Sequence, residues 1–268
     1  MGHTVQVKGG ELWADDTGTD GLAGEAAAGL PLVLLHAGVG DSRMWDPVLP
    51  GLTARHRVIR YDARGFGRSP KPTVSYTQAD DLRSVLDHFE LDRVVLVGSS
   101  MGGRTVVDLA LNDPARVAAL GLLVPGVNGY DGLESAEVME EIGQLATAGD
   151  MDGLVALALR LWGGAGPHPD TEAEALVRAA IPAWFTTYGH EVPGAPAFDR
   201  LGELDLPCAL LLGEKDQPEV IRCNEEMAAR IPGCRLVRHP DCDHFPTLRA
   251  PEDVARLLTE LGERAAAV

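Results

Sequence analysis

The chain has 268 residues, 45% of them hydrophobic, and a formal charge of −17 from 23 basic and 40 acidic side chains. The length suits one large domain or one domain with a modest insertion, and the apolar content is enough for a sizeable core, which excludes disorder as the default. The acidic balance argues against nucleic acid or an anionic membrane as a partner and otherwise describes a solvated surface.

Residues 1–10 carry no apolar run behind a basic segment, so no secretory signal is expected. Apolar runs such as 117–125 fall short of the roughly 20 residues that a membrane helix needs. Cys208, Cys223, Cys234 and Cys242 show no C-x-x-C spacing. They read as free thiols in a reducing cytosol, so the expected location is cytoplasmic.

In chain order, residues 4–8 and 11–15 alternate like a hairpin turned at Gly9-Gly10. Residues 17–30 are Gly/Ala-rich and read as a mobile surface loop. Pro31 to His36 is a buried strand running into the Gly-rich loop His36-Ala37-Gly38-Val39-Gly40-Asp41. Met44 to Pro47 opens a short helix whose Trp45 reads as core. His56 to Tyr61 is the next strand. The loop Asp62-Ala63-Arg64-Gly65-Phe66-Gly67-Arg68-Ser69-Pro70 reads as an architectural turn, with Asp62 and Arg64 pinning it. Residues 77–90 form an amphipathic helix, with Leu82, Val85, Leu86 and Phe89 on one face.

The most informative stretch is Arg93 to Thr105. Val94 to Val97 is a buried parallel strand, and residues 104–112 read as a helix stopped before Pro114. Between them lies Gly98-x-Ser100-x-Gly102. A sharp strand-to-helix reversal strains its apex residue, and small residues around it let strand and helix approach. The Ser100 hydroxyl then stands at the carboxyl edge of the sheet. The Met101 N–H lies at the positive end of the following helix, where it would stabilise an oxyanion. A dinucleotide-binding loop needs glycines at a different spacing.

This arrangement resembles the nucleophile elbow of the α/β-hydrolase superfamily. The resemblance runs over residues 1–264. It implies a mostly parallel eight-stranded sheet with helices on both faces and an inserted helical lid. His36-Ala37-Gly38 resembles the superfamily's His-Gly-x segment, which assigns the second oxyanion amide to Gly38. Ala37 departs from the usual glycine, and a positive φ there would require the loop to be recast. His36 reads as a structural hydrogen-bonding group. Asp62 to Ser69 resembles the superfamily's D-x-R-G-x-G-x-S loop.

Val117 to Val124 is another buried strand. From Pro125 to about Leu201 no strand is expected. Three helices are, at about 133–148, 150–162 and 171–187, with a capping box at Thr171-x-x-Glu174. This resembles the lid of many α/β-hydrolases, giving a core of 1–125 and 202–268 and a lid of 126–201. Trp162, Trp184, Phe185 and Tyr188 are candidate pocket walls, although helix packing would also use them. Leu206 to Gly213 is a strand with the exit loop Glu214 to Pro218, followed by a helix over 219–231. Arg235 to Arg238 is the last strand, with the exit loop Asp241 to Pro246. A helix started by Pro251 closes the chain over 251–264.

A serine hydroxyl needs a base in hydrogen-bond reach and a third group to orient that base. The superfamily's order of Ser, acid, His selects Ser100, Asp216 and His244. His244-Phe245-Pro246 resembles the superfamily's H-F-P segment, and His239 is the rival. Gly213 to Pro218 resembles its acid loop, with Glu214 as the rival there and Asn128 and Asp131 as alternatives after the preceding strand. Asp241, Cys242, Asp243 and His244 could each ligate a metal. Neighbours on an extended segment point to opposite sides, however, so no metal and no cofactor is expected.

The resemblance implies hydrolysis of a small carboxylic ester or lactone through an acyl-enzyme on Ser100. A serine at the apex disfavours the branches that use aspartate there. Carbon–carbon bond hydrolysis, non-hydrolytic chemistry (perhydrolase, lyase or cyclase) and a hydrolase-like ligand receptor stay open. Arg160 and Arg178 are the cationic residues of the three expected lid helices, which favours a small-molecule substrate with a neutral or apolar acyl group. Oligomeric state is not readable from the sequence.

Overall fold

The computed structural model describes residues 2–19, 22, 29–133 and 135–267. Most of the loop expected over 17–30 lies outside the described residues.

Eight strands form one sheet in the order β1 (Gly2–Val7), β2 (Gly10–Asp16), β4 (Val58–Tyr61), β3 (Leu32–Leu35), β5 (Val94–Ser99), β6 (Val117–Leu123), β7 (Cys208–Gly213) and β8 (Arg235–His239). β2 pairs antiparallel with β1 and with β4, and every pairing from β4 to β8 is parallel. Short apolar strands buried on both faces explain the parallel part from β4 to β7, and β8 closes it as a half-exposed edge. Val33 and Leu35 face one core cluster, and Leu32 and Leu34 face the other. The same alternation sends Leu96 one way and Val95 and Val97 the other.

Helices α2 (Gln78–His88), α3 (Met101–Asn112) and α7 (Pro218–Arg230) cover the first face. The second face carries α1 (Leu49–Thr53) and α9 (Pro251–Ala266). Between β6 and β7 come α4 (Ala136–Ala148), α5 (Met151–Trp162) and α6 (Thr171–Thr186). Leu154, Val155 and Ala158 of α5 and Val177 and Ile181 of α6 join the second cluster beside Met44 and Trp45.

Two local expectations need correction. α3 begins at Met101 rather than at 104. Its two glycines weaken intrinsic helicity, but packing requires them: a Cβ on Gly102 would sit 2.4 Å from the Leu35 carbonyl oxygen. The N-cap of α6 is Asp170, whose carboxylate accepts from the Ala173 N–H, so Thr171 is already the first helical residue. The short helices α1 and α8 (Pro246–Arg249) have too few residues to show a period.

The strand order reverses at β3 and β5. Chain segments leaving their carboxyl ends diverge there and open a crevice, the usual ligand position in such sheets. The loop after β3 and the turn after β5 both border it.

Candidate active site

Ser100 caps α3 with φ 48° and ψ −107°, an unfavourable conformation for a residue with a Cβ. The turn is held from three sides. The Ser100 N–H donates to the Leu123 carbonyl at 3.0 Å, the Gly126 N–H donates to the Ser100 carbonyl at 3.0 Å, and the Gly102 N–H donates to the His36 carbonyl at 3.2 Å. A Cβ on Gly98 would meet the Gly102 carbonyl oxygen at 2.3 Å, so this approach of strand and helix needs glycine.

The structure brings Ser100, His244 and Asp216 together. His244 Nε2 lies 2.8 Å from Ser100 Oγ, and Nδ1 lies 2.6 Å from Asp216 Oδ2. The other carboxylate oxygen of Asp216 accepts from the Gln217 N–H at 2.8 Å. The side chain of Asp216 is fully buried and that of His244 nearly so. With Nδ1 donating to the carboxylate, Nε2 is left to accept from the hydroxyl.

The rivals lie elsewhere. Glu214 pairs with Arg238 at 2.8 Å on the surface. His239 faces Asp253 at 3.1 Å. The Asn128 amide donates to Asp108 at 2.7 Å. Burial raises the Asp108 carboxyl above its usual range, partly offset by that bond and by Arg104 and Arg200. Asp131 lines the crevice. The four adjacent candidate metal ligands diverge: Asp241 faces Lys215, Asp243 faces Arg249, and His244 faces Asp216. Burial pushes the Cys242 thiol up to about 12, so it stays protonated.

Gly38 and Met101 face each other across the crevice. A Cβ on Gly38 would lie 3.7 Å from Met101 Sδ. Neither backbone N–H has a hydrogen-bond partner among the described residues. Ala37 does not adopt positive φ, so the loop needs no recasting. His36 holds it instead: its Nδ1 lies 2.8 Å from the Ala37 carbonyl, and its Nε2 accepts from the Ala63 N–H at 3.0 Å. Asp62 accepts from the Ser42 and Arg68 N–H groups, whereas Arg64 forks onto Asp81 at 2.7 Å, so the two pin the turn through different partners.

The cavity above Ser100 encloses about 620 Å³. Trp162 and Trp184 form part of its wall, with the loop from Val124 to Leu133 opposite. Phe185 and Tyr188 are instead exposed, at 45% and 85%. Arg104 also reaches the cavity, and Glu191 holds its guanidinium at 2.8 Å.

Sequence reasoning missed two supports. Trp184 Nε1–H donates to the Gly38 carbonyl at 2.6 Å, across 146 residues of sequence. Val124, a β-branched residue at the exit of β6, holds φ 40° beside the strained serine. No local pattern signals either one.

A sequence model described as the alpha/beta hydrolase family matches residues 32–257. A proposed carbamate hydrolase, RutD of Variovorax paradoxus, is 46% identical over 97 residues, 34% of this chain and 36% of that relative. The first curated relatives are thus matched over less than half of their own length. A 2-hydroxy-6-oxononadienedioate/2-hydroxy-6-oxononatrienedioate hydrolase of Cupriavidus pinatubonensis is 26% identical over 90% of this chain and 88% of its own. Among solved structures, Est816, described as an N-acyl homoserine lactone degrading enzyme, superposes with TM-score 0.78 at 26% identity. That match covers 96% of this chain and 99% of Est816.

Proposed function

The chain belongs to the alpha/beta hydrolase family, and we propose that it is a serine hydrolase that cleaves a small, neutral carboxylic ester or lactone through an acyl-enzyme on Ser100. The observation that carries this reading is the continuous hydrogen-bonded row from Asp216 through His244 to a strained Ser100, ending at the cavity.

His244 Nε2 takes the Ser100 proton as Oγ adds to the substrate carbonyl carbon. The Gly38 and Met101 N–H groups receive the oxyanion, aided by the positive end of α3. His244 then protonates the leaving oxygen, giving the acyl-enzyme. Water, deprotonated by the same imidazole, releases the acid and restores Ser100. Asp216 fixes the tautomer and stabilises the imidazolium. In other serine enzymes, one oxyanion donor is worth about 3 kcal/mol. Segments 1–125 and 202–268 serve as the catalytic core. Residues 126–201 serve as a lid that excludes water and shapes the acyl pocket.

Neutral substrates are favoured because Arg104 is already paired with Glu191 and Asp131 is an acidic group of the wall. Carbon–carbon bond hydrolysis is the second reading, supported by the Cupriavidus relative that aligns over most of the chain. That relative's dienedioate substrate carries two carboxylates, which this wall is poorly charged to receive.

A fluorophosphonate probe with intact-mass readout tests the first reading. One adduct per chain is expected, and none on Ser100→Ala. Absence of labelling on folded wild-type protein would overturn it. Turnover of a panel of neutral esters, lactones and vinylogous diketones then separates the two readings.

A further inference from the structure

The loop that carries His244 is tied to the inserted helices by a buried ionic bridge. Asp243, immediately before His244, is fully buried. Its Oδ1 accepts from the Phe245 N–H at 2.8 Å. Its Oδ2 accepts from the Ala165 N–H at 2.9 Å and from Arg249 Nε at 3.0 Å. The far end of the same guanidinium, Nη2, donates to Asp170 Oδ2 at 2.6 Å. Asp170 is the N-cap of α6, so one arginine joins the His244 loop to the start of that helix.

The bridge is enclosed. The side chains of Arg249 and Asp170 are 8% and 9% exposed. The Arg249 guanidinium lies 5.6 Å from the centre of the Phe245 ring. A Cβ on Gly166 would strike Asp170 Oδ2 at 2.0 Å and Arg249 Nη2 at 2.7 Å, so a side chain at 166 would displace the pair. A parallel tie runs through the backbone, where the His244 N–H donates to the Trp162 carbonyl at 3.1 Å. The peptide before the imidazole is therefore held by Trp162, and the one after it by Asp243, which Ala165 and Arg249 hold in turn.

We propose that Arg249, bridging Asp243 and Asp170, is a positioning residue that sets the His244 imidazole against Ser100 and makes the reactivity of the base depend on the seating of α6. The inference rests on the serine-hydrolase reading above and adds a role for three residues that touch neither substrate nor reacting atoms. Buried charges that satisfy one another in fixed geometry hold a side chain better than a single bond does. A displacement of about 1 Å at the base costs on the order of a hundredfold in rate.

The test uses Asp170→Asn, Arg249→Met and Arg249→Lys in the full chain. Asparagine caps a helix as well as aspartate does, so Asp170→Asn removes the ion pair and leaves α6 started. It decides the matter alone should Arg249→Met fail to fold. The readouts are kcat and KM for p-nitrophenyl butyrate per titrated site, and amide hydrogen exchange over 241–250. Expected are a kcat lower by about tenfold in Asp170→Asn and about a hundredfold in Arg249→Met, with KM little changed. Arg249→Lys should recover part of the loss, and exchange over 241–250 should quicken in each variant in the same order.

A wild-type kcat in the variants overturns the positioning role, whether or not exchange changes, and leaves the serine-hydrolase reading standing. An unchanged exchange over 241–250 overturns the bridge itself. If the wild-type protein neither labels nor turns over ester while the variants show quickened exchange at His244, the bridge stands as the anchor of that loop and the hydrolase reading falls.

Discussion

Gly102→Ala tests how the turn around Ser100 assembles the proposed oxyanion site. A Cβ at this position would lie 2.4 Å from the Leu35 carbonyl oxygen and 2.7 Å from the Leu35 carbonyl carbon, both backbone atoms. Relief to an ordinary contact of about 3.5 Å requires a shift of about 1 Å. The shift must separate the start of α3 from the end of β3. Those two segments carry the Met101 and Gly38 N–H groups. A misplacement of about 1 Å lowers a rate about a hundredfold, or about 2.7 kcal/mol in the transition state. The loss should fall on kcat, because these donors meet charge that develops only as the carbonyl is attacked. Overpacking should also cost about 1–3 kcal/mol of stability. Active-site-titrated kinetics on p-nitrophenyl butyrate and urea unfolding measure the two effects. Gly143→Ala is the control: Gly143 is exposed on α4 with nothing within 4 Å of its added Cβ, and it should gain up to about 1 kcal/mol of stability. A folded Gly102→Ala protein with kcat within about threefold of wild type would refute the reasoning.

Asp216→Asn should lower kcat by about 10⁴ because the amide cannot hold the same imidazole tautomer, whereas Glu214→Gln, on a surface ion pair, should leave kcat unchanged. Trp184→Phe removes the indole donor to the Gly38 carbonyl and should lower kcat about fivefold, the equivalent of about 1 kcal/mol, with a smaller change in KM. His56 is 7% exposed, and burial lowers its pKa below the ordinary 6.5. The unfolded chain therefore takes up the proton first as pH falls. Stability from this group is complete above about pH 6.5 and is lost as pH falls from there toward the lowered native pKa. Urea unfolding at pH 7.5 and pH 5 should show a smaller loss for His56→Leu than for wild type. An identical loss would refute it.

The parts legible in the sequence are those with a short-range physical signature. The run Val94 to Gly98, the small residues about Ser100 and the following helix lie in one uninterrupted stretch, residues 94–112. The structure places all of them as expected except the first turn of α3, where glycine hides a helix that packing enforces. Asp216 and His244 could be proposed because each sits in the exit loop of a recognisable strand and both follow Ser100 in the order of the superfamily that the turn resembles. The supports around them could not. Arg249 reaches Asp170 across 79 residues and Trp184 reaches Gly38 across 146, and neither pair leaves a periodic trace. Composition misled at Phe185 and Tyr188: aromatic residues near a suspected pocket read as wall, yet Phe185, in the last turn of α6, and Tyr188, just beyond it, face solvent.

The strained residues show why the sheet and the inserted helices divide the work. Ser100 and Val124 both hold positive φ at the exits of neighbouring strands, each at a cost on the order of 1–3 kcal/mol. Such angles persist only where the surroundings leave no alternative. Here the Ser100 N–H is fixed to Leu123 of β6, and the Val124 N–H is fixed at 2.8 Å to Leu211 of β7. Three parallel strands thus set the position of the proposed nucleophile, independently of the inserted helices. The proposed base and oxyanion loop are different. They lie beyond the strand ends, and Trp162, Ala165, Asp170 and Trp184 hold them from outside the sheet. It follows that substitutions in the inserted helices alter turnover through His244 and Gly38 while leaving Ser100 in place, so phosphonylation at saturating probe should still reach one adduct per chain, only more slowly.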